Sequence, residues 1–263
     1  MASSTRAAKL AAEQALGSLS GLTLQTAAEL FAVANALHQS AQLRSILTDP
    51  SAAVAGKEKV IRSVFGGKLS DASLNLTITL AKLRWSATRD IAKVAEQLAV
   101  RVVAGVSTDA HALQAELFSL EQIIAQDNEL ELALSSNRAS GEQKQALVKT
   151  LISGKLSAAA ELLALQAVLS HSVKRYAAVL ENYGSWLAQV AGESVALITV
   201  AKPLSDDQLQ RLGNALTASF GRKLQLNVEV SEDVIGGVHV AVNGEVIDAT
   251  LLTKLNHARL QLN

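Results

Sequence analysis

Gly67-Lys68-Leu69-Ser70 and Gly154-Lys155-Leu156-Ser157 are the same four residues met twice in one chain, 87 positions apart. They do not stand alone. Glu29-Leu30-Phe31 recurs as Glu116-Leu117-Phe118, Leu43 and Leu47 recur as Leu130 and Leu134, and Lys57 falls on Lys144, all in that register. One residue is then dropped, and Leu83, Ser86 and Arg89 recur as Leu169, Ser172 and Arg175. Compositional coincidence does not produce so many identities in register, even in an alanine-rich chain. Two copies fall short of a solenoid, which stacks three or more units. The chain therefore reads as two related modules.

Both modules carry the 3.6-residue period of amphipathic helices. Leu24, Ala27, Ala28, Phe31, Ala34 and Leu37 share one face, as do Leu113, Leu117, Leu120 and Ile124 in the second copy. A short helix over 44–47 stops near Asp49-Pro50, because the residue before proline disfavours the α region. Ser140-Gly141-Glu142-Gln143 has the spacing of a capping box. Gly66-Gly67 and Gly154 are helix stops, and Ser70 and Ser157 cap the helices that follow. Those helices carry Leu74, Ile78 and Ala81 in one copy, Leu162 and Leu165 in the other. A long helix closes each copy, over 86–103 and 172–190.

The first module opens with a helix over 5–16, but the second has no free segment for one. Its equivalent is the end of copy one's last helix, since Val103 takes the place of Leu16 in the repeat. Helix 91–103 is therefore expected to serve both modules, with Gly105-Val106-Ser107-Thr108 as the joint. The alternative is a second module without its first helix, which would leave one face of 91–103 bare.

Around Gly192 the period changes to two. Residues 194–200 are apolar and β-branched enough for a strand. Ser205-Asp206-Asp207-Gln208 forms a capping box, and Leu209, Leu212, Leu216 and Phe220 line the helix it starts, which Gly221 stops. Leu224, Leu226, Val228 and Val230 alternate with polar residues, and Val238, Val240 and Val242 do likewise. Gly236-Gly237 suits a bend or bulge at the sheet. Asn243-Gly244 signals a two-residue hairpin, after which Asp248 is placed to cap a final helix with Leu251, Leu252, Leu255 and Leu260. The expected fold is mainly α: two related all-helical modules, 1–106 and 107–192, then a small α/β domain, 193–263.

Composition narrows the function classes. Hydrophobic residues are 49% and charged residues 18%, which supplies real cores and excludes bulk disorder. Aromatic residues are only 3%, which favours closely packed helices over a sandwich built on large rings. Lys+Arg and Asp+Glu are both 24, so the basic excess of a nucleic-acid binder is missing. With no cysteine there is neither a disulfide framework nor a Cys zinc site. No run approaches the roughly 18 apolar residues of a membrane span, and the first ten residues lack the pattern of a signal peptide. Any membrane association is expected to come through a partner.

Catalytic signatures are missing too. His38, His111, His171, His239 and His257 are scattered, without a second ligand at useful spacing, and read as surface or helix-end residues. Gly236-Gly237 leads into a strand rather than a helix and belongs to no phosphate-loop motif. Arg84-Trp85 and Lys174-Arg175 read as solvated pairs or protein contacts. No cofactor or metal site is expected.

The stretch from Val200-Ala201-Lys202-Pro203 through Gly236, Gly237, Asn243, Gly244 and Val246-Ile247-Asp248 to Leu255 resembles the C-terminal signature of one family. That family is the delta subunit of F-type ATP synthase, called the oligomycin-sensitivity-conferring protein in mitochondria. The match covers about 193–263, and the helical modules are similar to the family's N-terminal domain. Ser231 stands where the family typically has an acid, and Thr250 where it has serine. The duplicated helical module is the larger departure, and it resembles the long forms of high-G+C Gram-positive bacteria.

The resemblance implies a non-catalytic stator of a proton-translocating machine, peripheral at the cytoplasmic face of the plasma membrane. Its helical part would grip the N-terminal helix of an alpha subunit and its C-terminal domain the C-terminal end of the b subunit. The beta subunit is a further candidate partner. The family's alpha-helix groove carries over to Ala8, Ala12, Leu16, Leu74 and Ile78 in copy one, and to Val94, Leu98, Leu162 and Leu165 in copy two. Each of these also suits the core of its own module. A helical adaptor unrelated to ATP synthase is the alternative function, and an enzyme comes third.

Overall fold

The computed structural model describes residues 3–136, 138–171, 173–190, 194–220, 224–231, 238–242 and 245–248. The chain divides into two compact units, Met1–Leu187 and Ala188–Asn263.

In the first unit, α1 (Ser3–Gly17) buries Thr5, Ala8, Ala12 and Leu16, one face of a helix. α2 (Leu24–Gln39) starts on a reciprocal cap between Thr23 and Thr26. α3 (Ala41–Thr48) starts on Ser40, whose hydroxyl accepts from Leu43 N–H. α4 (Val54–Phe65), α5 (Asp71–Lys82) and α6 (Asp90–Val106) complete copy one. Copy two repeats the order with α7 (Ala110–Gln126), α8 (Asn128–Ser135), α9 (Gly141–Ile152), α10 (Ala158–Ala167) and α11 (Tyr176–Val190).

The repeated tetrapeptide proves to be a stop and a start. Gly67 and Gly154 sit at φ +74 and +70, in the left-handed region that glycine tolerates. Lys68 N–H then donates to Phe65 O at 3.0 Å, and Lys155 N–H to Ile152 O at 2.9 Å. A side chain at either glycine would meet open space, so the cost of adding one is purely backbone strain. Gly67→Ala and Gly154→Ala are each expected to cost about 1–2 kcal/mol in urea denaturation. No change at either position would refute the assignment.

The serines that follow cap α5 and α10, and each is held by a carboxylate that the local sequence does not announce. Ser70 Oγ and N–H donate to Glu29 Oε2 at 2.6 and 3.0 Å. Ser157 Oγ and N–H donate to Glu116 Oε2 at 2.6 and 3.2 Å. Burial would raise the Glu29 carboxyl, but hydrogen bonds from Ser70 and Ser73 outweigh it and hold the group below its ordinary value of 4.5. A carboxylate lowered by folding stabilises above its unfolded value, and that contribution is lost as pH falls through the folded value. Glu29→Gln is therefore expected to flatten the decline of stability below pH 4.5. An unchanged acid limb would show that the clamp contributes nothing.

The closing helices start later than the periodicity suggests, at Asp90 and Tyr176 rather than at 86 and 172. Ser86 N–H donates to Thr5 Oγ1 at 3.0 Å, and Ala87 N–H to Asp90 Oδ2 at 3.3 Å, which hold this segment out of the helix. In copy two the first N–H groups of α11, from Tyr176 and Ala177, donate to the Glu131 carboxylate of α8 at 2.9 and 3.0 Å. Residues distant in sequence, Thr5 and Glu131, take part in both starts.

α6 has no bare apolar face. Ile91, Ala92, residues 94–100 and residues 102–104 are all buried. α1, α2 and α5 pack on it from copy one, and Tyr183 of α11 reaches it from copy two. α10 also packs against α2, where Asn35 Nδ2 donates to Gln166 Oε1 at 3.5 Å.

The second unit holds a four-stranded sheet in the order β2-β1-β3-β4. β1 (Ser194–Val200) and β2 (Leu224–Val230) are parallel, joined through α12 (Asp206–Phe220). β3 (Val238–Val242) runs antiparallel to β1, and β4 (Glu245–Asp248) antiparallel to β3. The Ser205 cap forms as expected, with Ser205 N–H donating to Gln208 Oε1 at 2.9 Å. Ala196, Ile198, Val200, Leu216 and Val240 make the core. Val230 is 52% exposed, unlike the rest of its alternating set, because β2 is the edge strand and Val230 its last residue.

Candidate functional site

The groove candidates divide by burial. Ala8, Ala12 and Leu16 on α1, Leu74 and Ile78 on α5, and Val94 and Leu98 on α6 are buried, none more than 9% exposed. α1 packs on both α5 and α6, so in copy one the chain itself fills this seam. Leu162 and Leu165 on α10 are only half-buried. The candidates thus come together as an internal seam in copy one, and as a partly open α10 face in copy two.

Sequence reasoning missed a polar cluster where the copies meet. Phe31 of α2 and Tyr183 of α11 lie with ring centroids 5.9 Å apart. Tyr183 is fully buried, and its hydroxyl donates to Glu96 Oε1 of α6 at 2.7 Å. Burial, and then the charge of Glu96, push the Tyr183 hydroxyl well above its ordinary range, so it stays a donor. His38 Nε2 lies 3.8 Å from Glu96 Oε2, and the His38 ring stacks on His171 at 5.5 Å. These two histidines are therefore paired with each other rather than solitary. They belong to different copies, so no local spacing could have joined them. The repeat offered one hint, since Glu96 and Tyr183 both lie on the closing helices.

In the second unit β3 and β4 pair with Val242 opposite Glu245, the register of a two-residue hairpin, and Asp248 ends β4 opposite His239. Gly236, Gly237, Asn243, Gly244, Leu255 and the expected final helix lie outside the described residues. Among the described residues no cluster of His, Cys, Asp or Glu could hold a metal ion, and no helix is long and apolar enough to cross a membrane.

What this chain presents are helical faces and a small α/β unit. It belongs to the ATP synthase delta (OSCP) subunit family, whose model matches it twice, over residues 11–101 and 98–262. The chain is 36% identical to the ATP synthase subunit delta of Beutenbergia cavernae, covering 90% of this chain and 88% of that one. It is 35% identical to that of Leifsonia xyli subsp. xyli, over 100% and 99%. It is 33% identical to that of Streptomyces avermitilis, over 98% and 97%. The long form is thus shared with these relatives. The alternative of an adaptor unrelated to ATP synthase is set aside by the family match.

Proposed function

We propose that this chain is a stator subunit of the peripheral stalk in a proton-translocating F-type ATP synthase, with no reaction of its own. It links the catalytic head to the b subunit and opposes rotation of the head. The observation that carries this reading is the double family match, which spans both helical copies and the α/β unit. Its place is peripheral, at the cytoplasmic face of the plasma membrane, held through the complex. The two matches overlap at 98–101, inside α6. That overlap supports a helix shared by module 1–106 and module 107–192, with 193–263 as the separate α/β domain.

The helical part takes the amphipathic N-terminal helix of an alpha subunit, a groove mode that supplies apolar area without reacting groups. The α/β domain takes the C-terminal end of b, and the beta subunit is a further contact. Two attachments on one chain resist torque better than one, because each raises the effective concentration of the other. Reaching Ala8, Ala12, Leu16, Leu74 and Ile78 would require parting α1 from α5, whereas Leu162 and Leu165 are already accessible.

Two experiments test the reading. Tagged chain recovered from solubilised membranes is expected to carry alpha, beta and b subunits; recovery without any of them would sink the stator role. An alpha N-terminal peptide titrated against the full chain should saturate. Leu162→Gln with Leu165→Gln should weaken that binding by about tenfold, the equivalent of 1.4 kcal/mol. Saturable binding untouched by the double change would move the groove elsewhere.

A further inference from the structure

A cavity of about 570 Å³ opens in copy two between the start of α9, the segment after α10 and the first turns of α11. A smaller cavity in copy one, about 320 Å³, lies at the corresponding start of α4 and the segment after α5, with Ser4 of α1 and the end of α3 in place of a closing helix. In the register of the repeat, Val54, Lys57 and Trp85 of copy one become Gly141, Lys144 and His171. The two sites differ in what fills and neutralises them.

In copy one two of the three cations lining the site, Lys57 and Lys82, are held by partners, and the third, Arg84, is exposed. Lys57 is buried and its Nζ donates to Ala81 O at 2.9 Å. Lys82 pairs with Glu58 at 3.0 Å. Trp85 packs in and donates to Leu80 O at 2.9 Å. In copy two the carboxylates are gone: Gln145 stands for Glu58 and Tyr176 for Asp90. Gln145 Nε2 donates to Leu165 O at 3.1 Å, so an amide takes over the capping of a helix end that Lys57 performs in copy one. That frees Lys144, which lines the cavity with Lys174 and His171. No carboxylate lines it, and neither lysine has an acidic partner among the described residues. Glu131, the carboxylate beneath, is committed to Tyr176 N–H, Ala177 N–H and Ser135 Oγ. Burial, then the charge of His38 and lastly that of Lys144, hold His171 below its ordinary value against a hydrogen bond with the Leu169 backbone and the pull of Glu96. The result is a concave site with uncompensated positive charge.

We infer that this copy-two cavity binds a small phosphate-bearing anion through Lys144, Lys174 and His171. Ammonium groups serve phosphate as compact point charges with several donors each. The imidazole adds a donor that a dianion keeps protonated. The cavity falls in the range of small-ligand sites, about 300–1,000 Å³, so a free diphosphate and a nucleoside diphosphate both fit. The copy-one cavity is smaller, and there Lys57 and Lys82 are tied to Ala81 O and Glu58.

The test is a proton NMR titration of the His171 ring in the full chain, assigned with His171→Gln, with diphosphate or ADP added at matched ionic strength. Either ligand is expected to shift the His171 resonance saturably and to raise its titration midpoint. Lys144→Gln with Lys174→Gln should weaken binding by about tenfold or more, since each lost charged hydrogen bond is worth at least that factor. Both lysines are at least partly exposed, so the double variant is expected to fold, which circular dichroism checks. Equal affinity for the two ligands assigns the site to phosphate alone, and tighter ADP adds the nucleoside. The inference is overturned if neither ligand moves His171 beyond the salt control, or if the double variant binds as the parent does.

Discussion

Phe31→Ala is expected to lower the unfolding free energy of the helical unit by about 3–5 kcal/mol, while Phe118→Ala costs less than half of that. The two residues hold the same place in the repeated Glu-Leu-Phe, so sequence alone would rank them equal. Phe31 is 2% exposed and faces Tyr183, whereas Phe118 is only half-buried. Removing the first ring leaves a cavity between α2 and α11, where the copies meet. Removing the second mostly trims a surface that water already reaches. Urea denaturation of both variants, followed by far-ultraviolet circular dichroism, measures the difference. Equal losses would mean that the seam between the copies carries no more load than the periphery.

Glu131→Ala is expected to cost about 1–3 kcal/mol, since it leaves the Ala177 N–H without its acceptor and the Tyr176 N–H with Ser135 Oγ alone at a buried helix start. The carboxylate also sits at the positive end of α11, which favours its charge. Glu131→Gln keeps an acceptor and should recover part of the loss. Amide exchange in the first turn of α11 separates this from a general weakening: the local amides should exchange faster than those of α2. Uniform acceleration would assign Glu131 to packing instead.

How far the sequence carried the fold depended on the range of the forces involved. Local signals were read correctly. The Ser140–Gln143 and Ser205–Gln208 boxes, the Gly67 and Gly154 stops and the Ser70 and Ser157 caps all depend on neighbours within a turn, while the Gly221 stop lies outside the described residues. Long-range partners were missed. Thr5 and Glu131 take part in the starts of α6 and α11, and nothing near 86 or 172 points to them. The candidate groove shows the same limit. An apolar ladder such as Ala8, Ala12 and Leu16 looks alike whether it fills its own core or waits for a foreign helix. In this chain Ala8, Ala12 and Leu16 are buried within copy one, while Leu162 and Leu165 are only partly covered. The seam of Tyr183, Glu96, His38 and His171 was illegible for another reason: it exists only once the second copy has docked on the first.

The burial of nearly every apolar residue of α6 has a mechanical meaning. Two domains joined by a flexible connector yield at the connector when pulled, and a hinge there would let stored rotation leak away. Here α6 packs on α1, α2 and α5 of copy one and holds Tyr183 of copy two, so parting the copies at this helix would expose its core. Stretched in an optical trap from its first helix to α11, the helical unit should rupture in one step rather than two. A stalk spliced in this way adds length without adding a soft point.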